Sequence, residues 1–161
     1  MIKMKDFKLI PFFLLFLITV NCGFKVLDRS ALNKFKINEI NSSGNKKINF
    51  LIRNDLNNLL NSNNSNDLLK INLVTNKTKN IKEKNKKNQI TKYNIIINST
   101  LEFHFVNKNV KKIINIEKKG HYLVASNHND TLSNLKSLEK NLSEQVSRDI
   151  ANKLVKIINE L

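Results

Sequence analysis

The sequence has few of the residues from which many enzyme sites are built. Among its 161 residues are one cysteine, three glycines, one proline and no tryptophan. A single cysteine excludes an intramolecular disulfide, so Cys22 needs another reason to be present. The glycines, Gly23, Gly44 and Gly120, lie too far apart to form a glycine-rich phosphate loop, and we therefore do not expect a nucleotide-dependent enzyme.

Histidines are also scarce, and their spacing does not indicate catalysis. His104, His121 and His128 stand at neither helical nor strand spacing from a second histidine, a cysteine or a paired carboxylate. Glu102 and His104 would share one face of a strand and could form an acid-base pair, but no nucleophile motif accompanies them. We therefore expect no metal, no cofactor and no catalytic residues.

Acidic residues are outnumbered, which leaves the chain strongly basic. Its formal charge is +15, with 25 lysines and 3 arginines against 13 acidic residues. Such a charge suits nucleic acid, an anionic membrane surface or an acidic ligand such as a phosphorylated glycolipid. The few aromatic residues are not interleaved with arginine in the way that base-stacking surfaces require, so nucleic acid is not expected as a partner.

The N-terminus has the profile of a signal peptide. Lys3, Lys5 and Lys8 precede twelve residues, 9–20, that carry no charged side chain. A transmembrane helix needs about 20 apolar residues, and this run is shorter and is interrupted by Pro11. The segment therefore predicts export rather than a permanent membrane span.

The single cysteine lies directly after this apolar run. The residues Ile18-Thr19-Val20-Asn21-Cys22-Gly23 resemble the lipobox of bacterial lipoproteins, in which a diacylglycerol is attached to the cysteine before cleavage. Thr19 and Asn21 depart from the usual leucine and small residue of that motif. We predict a signal peptide over residues 1–21, a lipid on Cys22 and a linker over residues 22–34; the alternative is an ordinary export signal with a chance cysteine. Two or three acyl chains would anchor the protein stably.

The rest of the chain alternates strand and helix patterns. Alternation over Phe35–Ile40 predicts a strand, and Asn41–Gly44 predicts a turn. Apolar spacings of three and four predict a helix from about Asn45 to Asn61. Leu69–Leu73 has the alternation of a second strand.

The second half predicts a hairpin and a long helix. Strands are expected over residues 93–105, with a bulge near 98–100, and over residues 110–126, with an irregularity at Gly120. An apolar stripe over residues 132–161 predicts a helix of about eight turns, capped by Asp130 or Thr131. Residues 35–161 should thus form a single α+β domain, a two-layer sandwich of order β-α-β-β-β-α, in which a mostly antiparallel four-stranded sheet packs against two helices.

Lysines are concentrated between the second and third strands. Residues 76–88 look like a loop and carry six of them: Lys77, Lys79, Lys82, Lys84, Lys86 and Lys87. This density would attract phosphates or acidic head groups. These lysines are candidate contacts for an anionic ligand, and the alternative is a solvated, mobile loop.

Three features together resemble the lipopolysaccharide-assembly lipoprotein family (LptE-like): the start Cys22-Gly23-Phe24, the element order, and the long C-terminal helix containing Arg148-Asp149-Ile150-Ala151-Asn152-Lys153-Leu154. The resemblance implies a periplasm-facing domain lipid-anchored to the outer membrane. It also implies that the domain plugs a large β-barrel (LptD-like) which inserts lipopolysaccharide into the outer leaflet, without catalysis. Gly23 after the cysteine, instead of aspartate, agrees with outer-membrane delivery.

Two other classes of function stay open. An envelope scaffold or transport accessory of another assembly could share this fold. A periplasmic enzyme would require a pocket that brings His104 or His121 close to a carboxylate and a nucleophile.

Overall fold

The computed structural model describes residues 35–60 and 67–160. The predicted signal peptide, the lipid-attachment residue Cys22 and the predicted linker lie outside the described residues. The elements in chain order are β1 (Phe35–Gly44), α1 (Lys46–Leu60), β2 (Asp67–Lys84), β3 (Ile90–Phe105), a short 3-10 turn (Val106–Lys108), β4 (Val110–Leu123) and α2 (His128–Asn159).

The four strands form one mixed sheet in the order β1-β2-β3-β4. β1 runs parallel to β2 because α1 lies between them in the chain and returns it to the same end of the sheet. The β2-β3 and β3-β4 pairs are antiparallel. The two helices contact each other as well as the sheet, so they form one layer on one of its faces. The predicted α+β architecture and its element order are confirmed.

The core lies between the helices and the inner face of the sheet. On β2 and β3 it takes every second residue, as predicted from their alternation: Leu69, Ile71, Leu73, Ile95, Ile97, Leu101, Phe103 and Phe105 are all buried. The opposite parity faces solvent and carries polar side chains such as Asn72, Asn98 and Thr100. One face of the sheet is therefore apolar and the other polar.

The junction between β1 and α1 differs from the sequence prediction. Asn41–Gly44 continues β1 and pairs with Asn72–Thr75 of β2, so the predicted turn is wrong. Pairing with a neighbouring strand satisfies this backbone, which overrides the low strand propensity of an Asn-Ser-Ser run. The chain then turns at Gly44, whose φ is +92°. Helix α1 starts at once because the Asn45 side chain accepts a hydrogen bond from the Ile48 backbone N–H.

The predicted irregularities within β3 and β4 are also absent. The β3-β4 register runs without a shift from Lys92 and Leu123 to Phe105 and Val110, through both 98–100 and Gly120. Gly120 serves a different purpose, because a Cβ placed there would lie 2.8 Å from Leu138 Cδ1 of α2. The glycine permits a close approach of helix and sheet. Register shifts occur instead at 37–39 in β1 and at 81–84 in β2.

The long C-terminal helix begins slightly earlier than predicted. Asn127 is the N-cap, and its side chain accepts from the Asp130 backbone N–H at 2.7 Å. The buried stripe includes Leu142, Val146, Ile150 and Leu154, in agreement with the 3.6-residue spacing. The first residue of the predicted stripe, Leu132, is 37% exposed. Helix α2 thus contributes to the core mainly along its middle and C-terminal turns.

Candidate functional site: a basic hairpin

The lysine-rich segment is a β-hairpin and not a loop. β2 continues to Lys84, and its outer part pairs with β3 in register, for example Thr78 with Ile96 and Asn80 with Asn94. The prediction of a loop over residues 76–88 is therefore wrong. Lysine and asparagine have low strand propensity. They form a strand here because the strong strand formers of β3, including Ile95–Ile97, provide a strand with which they pair. We call residues 77–92 the basic hairpin.

The turn of the basic hairpin is held together by Asn85. Its side-chain oxygen accepts hydrogen bonds from the backbone N–H groups of Lys87 (2.9 Å) and Gln89 (3.0 Å). Asn88 takes a positive φ of 60°, a conformation that asparagine tolerates well. Asparagines thus shape the turn, and they leave Lys86 and Lys87 exposed at its tip.

Lys77 lies at the base of the basic hairpin and is used structurally. Its Nζ lies 2.7 Å from an oxygen of Glu139, a residue of α2 whose side chain is only 1% exposed. Lys47 of α1 pairs with the other oxygen of the same carboxylate. Burial alone would raise the pKa of Glu139, but hydrogen bonds and charge from Lys47 and Lys77 hold it below the ordinary value. The triad links both helices to the sheet.

Lys79 and Lys82 are also partly engaged. The ammonium of Lys79 lies 3.8 Å from the ring centre of Tyr93, which stacks on Tyr122. Lys82 Nζ lies 3.0 Å from Nδ1 of His121 on β4. Both lysines are exposed, so their charges still reach solvent.

The far end of the basic hairpin carries the most accessible charge. Glu83 is paired with Lys92, whose hydrogen bond and charge lower the pKa of that carboxyl. Lys84 donates to the neutral Asn88 side chain, so it keeps its net charge. Lys84, Lys86 and Lys87 have no carboxylate partner among the described residues. A phosphate or carboxylate approaching the tip would therefore meet three uncompensated ammonium groups.

The basic tip and the start of the domain are at opposite ends of the sheet. Phe35 pairs with Asp67, the first residue of β2, whereas the tip follows Lys84, the last. At about 3.3 Å per residue, these two ends of β2 are separated by roughly 55 Å. Residues 22–34, which contain the predicted anchor, join at the Phe35 end. The tip is presented away from that attachment point.

Each candidate acid-base residue lies next to a lysine. Glu102 accepts a hydrogen bond from Asn72 and pairs with Lys111 at 3.4 Å, on the open face of the sheet. His104 lies opposite Lys111 in the register, and His121 contacts Lys82. No group of three or more histidine, cysteine or acidic side chains within residues 35–60 and 67–160 could hold a metal ion. In the same ranges, no helix is both long and apolar enough to cross a membrane.

Sequence reasoning missed Glu139. The signal was present, because Glu139 lies four residues after Leu135 and seven before Val146, inside the apolar stripe of α2. A charged residue at such a position needs buried partners. Close to the triad, Asn49 of α1 accepts a hydrogen bond from Thr75 of β2 at 2.6 Å. The lysine partners of Glu139 come from α1 and β2, and these distant contacts leave no local pattern in the sequence.

Comparisons with known proteins identify solved structures that share this fold. No family model matches the sequence, and no curated protein matches it significantly. Solved structures do match: rare lipoprotein B from Shewanella oneidensis has a TM-score of 0.56 at 16% identity, covering 74% of this chain and 96% of its own. A lipoprotein from Caulobacter crescentus has a TM-score of 0.59 at 12% identity, covering 81% and 95%. Lipoprotein B from Nitrosomonas europaea has 0.50 at 10%, covering 85% and 93%. The fold is therefore one that bacterial lipoproteins use.

Proposed function

We propose that this chain is a lipoprotein of the bacterial envelope, anchored to the outer membrane through Cys22, that supports a large lipopolysaccharide-inserting β-barrel. Its role is to occupy and stabilise the barrel lumen from the periplasmic side, and it carries out no catalysis. Rare lipoprotein B-like proteins are the LptE family, to which the sequence resemblance also points. The observation that carries the proposal is the shared fold, which extends over nearly the full length of those lipoproteins.

The signal-peptide profile and the lipobox-like segment support the same proposal independently. An apolar run ending at the only cysteine of the chain is expected of a lipoprotein precursor. The similarity to solved lipoprotein structures, in contrast, concerns the domain that follows this segment. Two separate parts of the chain thus favour one class of protein.

The basic hairpin supports lipopolysaccharide as the ligand class. Lipid A phosphates are anionic, and lysine ammonium groups bind phosphate by charge-assisted hydrogen bonds. Lys84, Lys86 and Lys87 provide uncompensated charge, while Lys77, Lys79 and Lys82 form internal contacts. We therefore narrow the six candidate lysines to the three at the tip.

The proposal is tested by affinity purification of the tagged protein from outer membranes in mild detergent, with mass spectrometry of the bound proteins and lipids. We expect a β-barrel protein in equal amounts, together with lipopolysaccharide, and an acylated Cys22. A Cys22→Ser variant should be absent from the outer-membrane fraction, because the acyl chains supply the anchoring energy.

Two outcomes would contradict the proposal in different ways. An acylated, membrane-bound protein without a stoichiometric barrel would favour the alternative of a scaffold or transport accessory of another assembly. A chain that is exported but never acylated would instead remove the lipoprotein assignment itself. A Ser30→Ala variant, altered in the same N-terminal region but outside the lipobox, is the matched control.

A further inference from the structure

The outer edge of β4 is open to a further strand. β4 is the last strand of the sheet, and no other described strand pairs with it. The carbonyls of Asn115 and Leu123 accept hydrogen bonds from α2 side chains, Lys153 and Asn134, so they point away from β3. Backbone N–H and C=O groups of alternate residues in a strand point to the same side. The backbone groups of Glu117, Lys119 and His121 therefore also point to the open edge.

A groove runs along part of this edge. It lies between β4 and α2 and has a volume of about 620 Å³. Its lining residues come from these two elements: Lys119, Gly120, His121, Tyr122, Leu123, Asn134, Ser137, Leu138, Asn141, Leu142 and Gln145. Leu138 and Leu142 reach the groove floor because Gly120 has no side chain to keep the helix away. The wall on the helix side is made mostly of amide and hydroxyl groups.

The dimensions and chemistry of the groove fit an extended peptide. Residues 119–123 of β4 extend for about 13 Å, and residues 134–145 of α2 rise by about 16 Å. A strand of about five residues could thus pair with β4 while its side chains contact α2. Main-chain pairing at a sheet edge beside a helix is a recurring mode of peptide recognition.

The charge of the groove indicates which kind of partner could bind there. Its lining includes the exposed Lys119 and His121 and no carboxylate. A second copy of this chain would bring the same positive charge to the edge and would be repelled at low salt. We propose that the groove between β4 and α2 binds an extended, acidic segment of another protein, which adds to β4 as a fifth strand. This inference is independent of the proposed function.

The test uses the full chain in mild detergent and a fluorescein-labelled peptide of seven residues in which glutamate and valine alternate. Binding is followed by fluorescence anisotropy at low salt. We expect saturable binding, and weaker binding of a peptide with lysine in place of glutamate. Two further peptides carry N-methyl groups either on every valine or on every glutamate. In a docked strand only every second residue directs its N–H toward β4. One of the two methylated peptides should therefore lose binding, and the other should retain it.

A proline variant tests the position of the bound strand. Lys119→Pro removes an N–H that points to the open edge and no hydrogen bond of the β3-β4 ladder. It should weaken binding about tenfold, as expected for one lost hydrogen bond. Ile113→Pro makes the same backbone change about 20 Å farther along β4, outside the groove, and should leave binding nearly unchanged. Lys119→Ala separates the loss of charge from the loss of the N–H.

Several results would overturn the proposal. They are no binding of the acidic peptide, equal binding of the lysine peptide, equal effects of the two methylation patterns, or equal effects of the two proline variants. Concentration-dependent dimerisation in sedimentation experiments that is lost in Lys119→Pro would assign the edge to a second copy instead. Circular dichroism and thermal unfolding of both proline variants establish that they are folded. If Lys119→Pro is not folded, the two N-methylated peptides test the backbone pairing and Lys119→Ala tests the charge.

Discussion

At the scale of single residues, Glu139 is the most constrained charged group in the described part of the chain. Its buried carboxylate receives Lys47 and Lys77, whose side chains are 50% and 25% exposed. Glu139→Gln keeps the shape but leaves two ammonium groups beside a neutral amide. Because both lysines can still reach water, we expect a loss of about 1–2 kcal/mol in the free energy of unfolding, measured by urea titration. The exposed Glu117→Gln should change it by less than about 0.5 kcal/mol.

The same residue predicts a dependence of stability on pH. The pKa of Glu139 is lowered in the folded protein, so in acid the unfolded chain binds a proton more readily than the folded one. Its stabilising contribution is complete above the ordinary value of 4.5 and is lost as the pH falls through the lower folded value. Urea midpoints measured from pH 7 to pH 3 should therefore fall less steeply in Glu139→Gln than in the wild type. Parallel curves would show that the carboxylate is not stabilised by its lysines.

Gly44 is constrained by its backbone. Its φ is +92°, and an added Cβ would lie 2.0 Å from the carbonyl oxygen of Thr75. Gly44→Ala should cost at least about 2 kcal/mol, because both the conformation and the contact oppose a side chain. Ser42→Ala, two residues earlier on the same exposed strand end, is the control and should be nearly neutral in thermal unfolding. Equal stabilities of the two variants would show that β1 ends differently.

At the scale of elements, the packing of α2 on β4 depends on Gly120. A valine there must displace Leu138 and Leu142, whose methyl groups would lie within about 3 Å of the new side chain. We expect Gly120→Val to cost about 1–3 kcal/mol and Gly120→Ala less, since leucine side-chain ends can move. Combining Gly120→Val with Leu138→Ala should restore part of the loss, because the smaller side chain makes room. Additive losses in this double-mutant cycle would contradict the close contact.

The same elements show what the sequence could and could not predict. The buried parity of β3 and the stripes of both helices follow from periodicity, because each repeats one environment over many residues. The extension of β2 through Lys77–Lys84 could not be predicted, since only its partner β3 has strand propensity. Gly120 was interpreted as a local irregularity, yet its role depends on a helix that follows much later in the chain. The lysines of the candidate site were identified by density alone, and only the structure separates Lys77 from those at the tip.

At the scale of the whole molecule, the basic tip and the point where the N-terminal segment joins the domain lie at opposite ends of the sheet. The segment carrying Cys22 joins at Phe35, and the uncompensated lysines lie at the other end of β2. If Cys22 carries the proposed lipid, a basic patch beside Phe35 would add to binding of the membrane that holds that lipid. A patch at the other end of β2, about 55 Å from Phe35, is instead available to a second anionic partner. Under the proposed function, the domain would therefore bridge a lipid anchor on Cys22 and a phosphate-bearing ligand.

This arrangement predicts that removing three positive charges at the tip weakens binding of an anionic ligand more than removing three elsewhere on the surface. Lys84, Lys86 and Lys87 changed together to glutamine should weaken binding to vesicles containing lipid A by up to about 100-fold at low salt, since each lysine near an anionic surface contributes about 1 kcal/mol. The matched control changes the exposed Lys112, Lys136 and Lys140 to glutamine, for the same loss of three charges. Binding is measured by co-sedimentation of the chain from residue 22 onward carrying Cys22→Ser, with dephosphorylated lipid A in parallel vesicles.

The comparison distinguishes a site from a general attraction. If only net charge mattered, the two triple variants would weaken binding equally, and salt would remove the difference from the wild type in both. If the tip is the contact surface, the tip variant loses binding and the control retains most of it. Removal of the phosphates should then make the wild type resemble the tip variant, because the ammonium groups lose the oxygens that they bind. A tip variant that binds as tightly as the control would move the phosphate contacts away from the basic hairpin.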